Sequence, residues 1–229
     1  MTHHYGYVSA LLAALLFGIS STLNKIALRN VHPLVVAGSI YLTAGIVLML
    51  LRFTPLKDKI LERLEFKAET QEFFSRQDLL LLALIVLFGS FLAPLSHMFG
   101  LNKTTAVNAS LLLNTETLFT VLIAILVFKE KASRRSITGI LLILTGAAVI
   151  STESFGEVEP SKGLLGNILI ILAGLSWAVD NNLSKLLSVK RDLLLVTSLK
   201  GLFGGSALLV LASLLGITLY IPLGASPTY

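Results

Sequence analysis

The sequence predicts an all-α protein: a polytopic membrane helix bundle with about seven transmembrane helices. Of its 229 residues, 55% are hydrophobic and only 14% are charged, so there are too few polar residues to cover the surface of a soluble domain. Several apolar runs reach about 20 residues, the length that a helix needs to cross the hydrocarbon core of a bilayer. The chain contains no cysteine, which excludes disulfides and thiolate metal sites.

The apolar runs place seven spans along the chain. A His32-Pro33 step separates the first two spans, because proline cannot continue a helix without losing a hydrogen bond. The fifth span is short, and Ser136 and Ser151 lengthen it. The predicted spans are about Tyr7–Leu28, Leu34–Leu51, Leu79–Leu101, Thr105–Phe128, Ile137–Ile150, Leu164–Leu187 and Leu194–Leu219.

Basic residues predict the direction of the spans. One set of alternate loops holds twelve lysines and arginines and the opposite set holds three, so the positive-inside rule places the first set and the N-terminus in the cytoplasm. The richer set includes a charged segment, 58–78, whose Ile60, Leu61 and Leu64 recur at helical spacing and predict a short helix on the membrane surface. The net charge of +5 is therefore interpreted as an orientation signal and not as a nucleic-acid site. The twelve residues are Arg52, Lys57, Lys59, Arg63, Lys67, Arg76, Lys129, Lys131, Arg134, Arg135, Lys190 and Arg191.

Two stretches of the chain resemble each other: FGISSTLNKIAL at Phe17–Leu28 and WAVDNNLSKLLS at Trp177–Ser188. Lys25 pairs with Lys185 at an offset of 160 residues, and the aromatic residues that open the two stretches pair at the same offset. Five predicted spans precede the second copy, so span one runs outward and span six runs inward. The two copies therefore form an inverted repeat, an architecture common among secondary transporters.

The fourth and fifth predicted spans carry a family resemblance. They contain, in order, an Asn/Ala-rich start at Ala106–Ser110, a leucine run at Leu111–Leu113, Glu116, Glu130 and the glycines of the fifth span, Gly139 and Gly146. This order resembles the EamA domain of the drug/metabolite transporter superfamily. FGISSTLNK and WAVDNNLSK resemble the openings of that family's first and second domains. Thr117 follows Glu116 where the family has a proline-like step.

The resemblance implies a ten-helix carrier of two inverted five-helix domains, which moves small metabolites or amino acids by alternating access across the cytoplasmic membrane. We expect a first five-helix repeat at 1–151, an external linker at 152–162 and the start of a second, inverted repeat at 163–229 with two helices only. The chain is therefore interpreted as a truncated member that lacks three helices. A transport-inactive membrane remnant, or an assembly or binding subunit, stays open as the alternative function.

Glu116 is the leading candidate for the substrate cavity. It is the twelfth of the 24 residues in Thr105–Phe128, near the bilayer midplane, where a carboxylate costs about 2.5–3.5 kcal/mol to insert. Burial there favours its protonated form, so coupling to protons stays open, and no other cofactor is expected. The alternative is a structural carboxylate paired between helices. At about 100° per residue, a polar stripe on this span groups Thr105, Asn108, Thr115, Glu116 and Thr120.

Four more charged residues are candidates for the predicted cavity. Lys25 and Lys185 are candidates for two symmetry-related gates near opposite faces of the membrane, and the alternative is that each snorkels to its own interface. Asp180 is expected to line the cavity, with helix–helix hydrogen bonding as the alternative. Lys200 lies about seven residues into its span, too deep to snorkel, and is hypothesised to pair with Asp180 or Glu116.

Two aromatic residues have less specific expectations. Trp177 is a further cavity candidate, with packing as the alternative. His97 follows Pro94 in span three, and its expected role is to bind a backbone carbonyl that the proline kink frees.

The sequence contains no motif for catalysis within the membrane. It has no paired aspartates for metal-diphosphate chemistry, no HExxH zinc motif, and no Ser/His pair at facing depths. We therefore expect neither enzymatic activity nor a metal site. The expected partners are a small-molecule solute and the lipid bilayer, and either a homo-oligomer or complementing helices stay open as protein partners.

Overall fold

The computed structural model describes residues 2–57, 59, 74–131, 133–134, 137–142, 144–145, 160–188 and 191–218. Every regular element in this part of the chain is helical, which confirms the predicted all-α class. The described residues contain six helical spans that are long and apolar enough to cross a membrane. Of the predicted fifth span, Ile137–Ile150, the structure describes residues 137–142 and 144–145, which are helical. The rest of that span lies outside the described residues, as do most of the predicted surface helix and most of the predicted external linker.

The helices follow one another with short connections between most of them. A π-helical segment joins α3 to α4, so these three elements form one membrane-length span, and α5 and α6 together form another. In chain order the elements are α1 (Thr2–Ala27), α2 (Pro33–Arg52), α3 (Arg76–Ile85), the π-helical segment (Val86–Leu92), α4 (Ala93–Lys103), α5 (Ala106–Leu113), α6 (Thr115–Leu126), α7 (Pro160–Ser188) and α8 (Leu193–Leu214).

Polar residues fix where the helices begin. At α2, His32 caps the helix by accepting a hydrogen bond from the Leu34 N–H at 3.3 Å, and proline occupies the first helical turn. At α3, Ser75 and Asp78 form a reciprocal capping box. At α8, the Asp192 carboxylate accepts from two N–H groups of the first turn. These local signals explain why the predicted starts of these three spans lie within a few residues of the observed ones.

The end of α8 differs from the prediction. The apolar pattern continues to Leu219, but the helix ends at Leu214. Gly216 follows with a φ of +70°, the left-handed conformation that glycine adopts readily and that closes the last turn of many helices. A glycine within an apolar run therefore ended the helix earlier than hydropathy alone suggested.

Glycines hold α2 and α8 in close contact. A Cβ atom on Gly45 would lie 2.5 Å from the Leu202 nitrogen, and one on Gly201 would lie 2.8 Å from the Tyr41 carbonyl oxygen. A Cβ atom on Gly205 would likewise collide with the α2 backbone. Backbone-to-backbone packing of this kind needs small residues at the interface, and the glycines of α2 and α8 provide them.

Helix α7 lies at the centre of the bundle. It packs against α3, the π-helical segment, α4, α5 and α6, whereas α1 contacts mainly α4 and α5. Much of α1 is exposed apolar surface, including Leu11, Leu15 and Leu16, as expected for a helix that faces lipid. The interior face of α7 is therefore the surface on which a site within the bundle is built.

The ends of α1 and α7 show that these two helices run in opposite directions. Lys25, in the last turn of α1, donates hydrogen bonds of 2.6–3.2 Å to three backbone carbonyls between Leu101 and Thr104, just before α5 begins. Lys185, in the last turn of α7, pairs with Glu130 at 2.6 Å, just after α6 ends. Since α5 and α6 cross the membrane as one span, the two lysines lie at its opposite ends, as an inverted repeat requires.

Candidate functional site

A cavity of about 310 Å³ lies where α1, α2, the π-helical segment, α6, α7 and α8 meet. It brings together four of the residues that the sequence suggested: Glu116, Asp180, Lys200 and Trp177. The described residues that line it are Phe17, Tyr41, Ala44, Gly45, Leu48, Ser90, Glu116, Trp177, Asp180, Asn181, Thr197, Lys200 and Gly201.

An ion pair between Asp180 and Lys200 links α7 to α8 at the cavity wall. Asp180 is only 2% exposed, and its other carboxylate oxygen accepts a hydrogen bond from Ser184 Oγ at 2.9 Å. The carboxylate packs directly against Gly89 of the π-helical segment, where any Cβ atom would collide with it. The charges of the pair offset each other and both Asp180 oxygens are engaged. Asp180 is one of the two partners hypothesised for Lys200.

Glu116 faces the cavity from the start of α6. It occupies the first turn of that helix, where the helix dipole favours an acidic side chain. Its Oε1 accepts a hydrogen bond from Asn181 Nδ2 at 2.8 Å, and this is its only hydrogen bond or ion pair within the described part of the chain. Glu116 is therefore held in place by a neutral amide and has no cationic partner among those residues.

Trp177 connects three helical spans at the cavity wall. Its indole N–H lies 3.1 Å from both the Tyr41 hydroxyl oxygen and the Gly89 carbonyl oxygen and donates to both. Its ring packs edge-to-face with Phe17 at 6.4 Å and with His97 at 5.3 Å between ring centroids. Phe17 and Trp177 are the residues that open the two repeated stretches, so the paired positions contact each other in the structure.

Two buried polar atoms near this cluster have no hydrogen-bond partner within the described residues. They are the Ser90 hydroxyl, which lines the cavity, and Nε2 of His97. The role expected for His97 from the sequence, binding a backbone carbonyl freed by Pro94, is therefore not seen at Nε2. Its ring is instead packed against Trp177.

The predicted polar stripe assumed that the fourth span is one regular helix. The structure interrupts that span at Asn114, between α5 and α6. The Asn114 side chain donates to two carbonyls of its own preceding turn, Ser110 at 3.3 Å and Leu111 at 3.1 Å. Of the stripe residues, Glu116 is the one among the described residues that line the cavity.

The other stripe residues have local contacts. The Thr115 hydroxyl donates to the Leu112 carbonyl at 2.6 Å, and the Asn108 N–H donates to the Thr105 hydroxyl at 3.1 Å. Thr120 contributes its backbone carbonyl to α7, where it accepts from Asn182 at 3.0 Å. Asn182 thus forms a helix–helix hydrogen bond from α7, while Asp180 both lines the cavity and links α7 to α8 through Lys200.

Ion pairs join the loops at the end of the bundle where the basic residues concentrate. Asp192 accepts from Arg52 at 3.0 Å and pairs with Lys57 at 3.0 Å, and Arg191 pairs with Asp78. Burial alone raises the pKa of Asp192, but the hydrogen bonds from Lys57 and Arg52 outweigh it and hold the pKa below its usual value. The two ion pairs of Asp192 hold the start of α8 against the end of α2.

Sequence reasoning missed Tyr41, Ser90 and Gly89. Tyr41 stands inside an apolar span of α2 as its one phenolic residue, a signal that was available. Gly89 and Ser90 owe their position to the π-helical turn, which a hydropathy pattern does not predict.

Comparison with known families and proteins places this arrangement in context. The model of the EamA-like transporter family matches residues 4–152. The chain belongs to that family. The match includes Glu116 and the helices that the sequence resemblance rested on, so the resemblance is confirmed. No solved structure matches the chain.

Relatives of this EamA-like chain are themselves named only as transporters. An uncharacterized transporter of Methanothermobacter thermautotrophicus is 40% identical over 228 residues, which cover 99% of this chain and 66% of the relative. The uncharacterized transporter YetK of Bacillus subtilis is 27% identical over 199 residues, which cover 86% of this chain and 57% of the relative. The chain thus spans about two thirds or less of the length of these relatives.

Proposed function

We propose that this EamA-like chain acts as a secondary transporter, or as part of one, that moves small metabolites or amino acids by alternating access across the cytoplasmic membrane. The observation that supports it best is the cavity between membrane-length helices that holds Glu116 beside the Asp180–Lys200 pair. Charged side chains are costly inside a membrane and usually mark a solute or ion pathway. Family membership favours a carrier over an enzyme.

The cavity is built from both copies of the repeat. Glu116 belongs to the first copy, and Asp180 and Lys200 belong to the second. In transporters of inverted-repeat architecture, the solute binds at the junction of the repeats and access alternates as one repeat moves against the other. Motion of this kind would change the contacts that Lys25 and Lys185 make at opposite ends of the α5–α6 span.

The proposed orientation places the N-terminus in the cytoplasm. The basic residues Arg52, Lys57 and Arg191 cluster at one end of the bundle through their pairs with Asp192 and Asp78. An excess of lysine and arginine at one end is typical of the cytoplasmic side. Labelling of single cysteines introduced at Thr54 and at Asn102 in intact cells tests this, because only the residue at the external end is expected to react with a membrane-impermeant reagent.

Solute flux in proteoliposomes tests the proposed function. The chain is reconstituted into proteoliposomes. Exchange of solute across their membrane is then measured with a panel of radiolabelled amino acids, amines, organic acids and neutral metabolites. We expect saturable exchange of at least one solute class, lost in Glu116→Gln and retained in the control Thr138→Val, whose side chain lies outside the cavity and donates to the nearby Arg134 carbonyl. Absence of exchange for every class would overturn transport by this chain and favour the assembly or binding subunit.

A further inference from the structure

The charges that line the cavity do not balance. Glu116 and Asp180 provide two carboxylates and Lys200 provides one ammonium group. Lys25 and Lys185, which the sequence suggested as further cations of the cavity, are not among its lining residues. Each is engaged at its own end of the α5–α6 span. Among the described lining residues there is therefore one carboxylate more than there are ammonium groups.

The carboxylate in excess is that of Glu116. Both oxygens of Asp180 are engaged, one by Lys200 and the other by Ser184. Glu116 receives a single hydrogen bond, from the neutral amide of Asn181 to Oε1. Its second oxygen, Oε2, thus has no hydrogen-bond donor among the described residues and is available to a ligand.

Aromatic rings form much of the remaining wall. Phe17, Tyr41 and Trp177 all line the cavity that contains Glu116. The faces of aromatic rings attract cations, and the attraction strengthens where water is excluded. A carboxylate beside three aromatic rings is complementary to a positively charged group on an apolar body. An anion would meet the excess carboxylate of Glu116 and would have to share the Lys200 ammonium group with Asp180.

We propose that the cavity binds a monovalent organic cation, an ammonium group attached to an apolar body, with Glu116 as its counter-ion and the aromatic rings around its apolar part. The interpretation of this cation as a transported solute rests on the proposed transport function. Its binding to the cavity does not, because binding is measured without flux. It narrows the solute from metabolites in general to amines and quaternary ammonium compounds.

The chain supplies its own probe for this site. Trp177 is its only tryptophan and it lines the cavity, so selectively excited tryptophan emission reports occupancy there. The purified chain in lipid nanodiscs is titrated with four probes of similar apolar size: benzyltrimethylammonium, benzyl alcohol, phenylacetate and phenylalanine. We expect a saturable change in emission with the cation, at least about tenfold tighter than with the neutral alcohol or the anion.

Variants assign the selectivity to Glu116. Glu116→Gln is expected to weaken binding of benzyltrimethylammonium by about tenfold or more, Glu116→Asp to preserve the preference for the cation, and Glu130→Gln to leave the affinity unchanged. Unchanged affinity in Glu116→Gln would overturn the proposal. If that variant does not fold, the titration of the wild-type chain tests the proposal. Tighter binding of phenylacetate or of phenylalanine than of the cation would overturn the proposal as well.

The two proposals fail separately. Exchange of anions or zwitterions alone in proteoliposomes would leave transport standing and overturn the cation as the solute. Binding of the cation in nanodiscs, with no exchange of any solute, would support the site and overturn transport by this chain.

Discussion

Replacing Lys200 with methionine leaves Asp180 buried without its counter-ion. Methionine is similar to lysine in length and retains most of its apolar contacts, so the variant removes the charge with little change in packing. Asp180 cannot move readily towards water, because it is 2% exposed and packs against Gly89 of the π-helical segment. The expected result is a large loss of stability in the single variant.

The magnitude follows from the burial of the pair. The side chains are 21% exposed at Lys200 and 2% exposed at Asp180, so water screens their attraction weakly. Removal of one partner from a buried ion pair typically costs about 3–5 kcal/mol, and a contact pair at an effective dielectric constant near 20 attracts by about 4 kcal/mol. For a chain of this size each kcal/mol lowers Tm by about 2–4 °C, which gives a loss of about 6–20 °C.

A double-mutant cycle measures the pair directly. Thermal unfolding in detergent micelles is compared for the wild type, Lys200→Met, Asp180→Asn and the variant that carries both changes. We expect the double variant to recover most of the stability that Lys200→Met loses, because a neutral amide and a thioether no longer leave a buried charge. If Lys200→Met is as stable as the double variant, Asp180 does not need its counter-ion and the assignment of a buried ion pair is wrong.

Three further predictions concern stability and the cavity. Gly205→Ala pushes a methyl group into the α2 backbone and should cost about 1–3 kcal/mol, whereas Gly18→Ala, with open space around it, should cost nothing measurable in the same unfolding assay. Asp192→Asn should be less stable than the wild type above about pH 4, the ordinary pKa of aspartate. Because the folded pKa lies lower, the difference should shrink as pH falls through it, and an unchanged difference in acid would contradict this. Tyr41→Phe removes one of two acceptors of the Trp177 N–H and should shift tryptophan emission, with a loss of about 1 kcal/mol.

Much of the fold could be predicted from local sequence signals. Apolar runs and the His32-Pro33 step defined the spans, since a bilayer requires about 20 apolar residues per helix and proline cannot continue a helix without losing a hydrogen bond. The opposite directions of α1 and α7 followed from counting spans between two similar stretches. Lys25 and Lys185 now mark opposite ends of the α5–α6 span.

The parts of the site that were not predicted depend on departures from regular helix geometry. A stripe calculated at 100° per residue grouped Asn108 and Thr120 with Glu116, but of these three only Glu116 is among the described residues that line the cavity. Likewise, the π-helical turn that brings Gly89 against Asp180 leaves no signature in hydropathy. Pairing partners were also undecided, because a sequence does not give the distance between Lys200 and two candidate carboxylates on different helices.

Those two irregularities point to the same place in the molecule. The π-helical segment presents the Gly89 carbonyl to Trp177, and the break at Asn114 starts α6 so that Glu116 reaches Asn181. Trp177 and Asn181 lie one turn apart on α7. Irregular backbone at membrane depth persists only where it is buried in protein or lines a cavity, because lipid offers no hydrogen bonds. Two separate spans thus depart from regular geometry opposite the same turn of α7, and this marks the candidate site independently of the charges that line it.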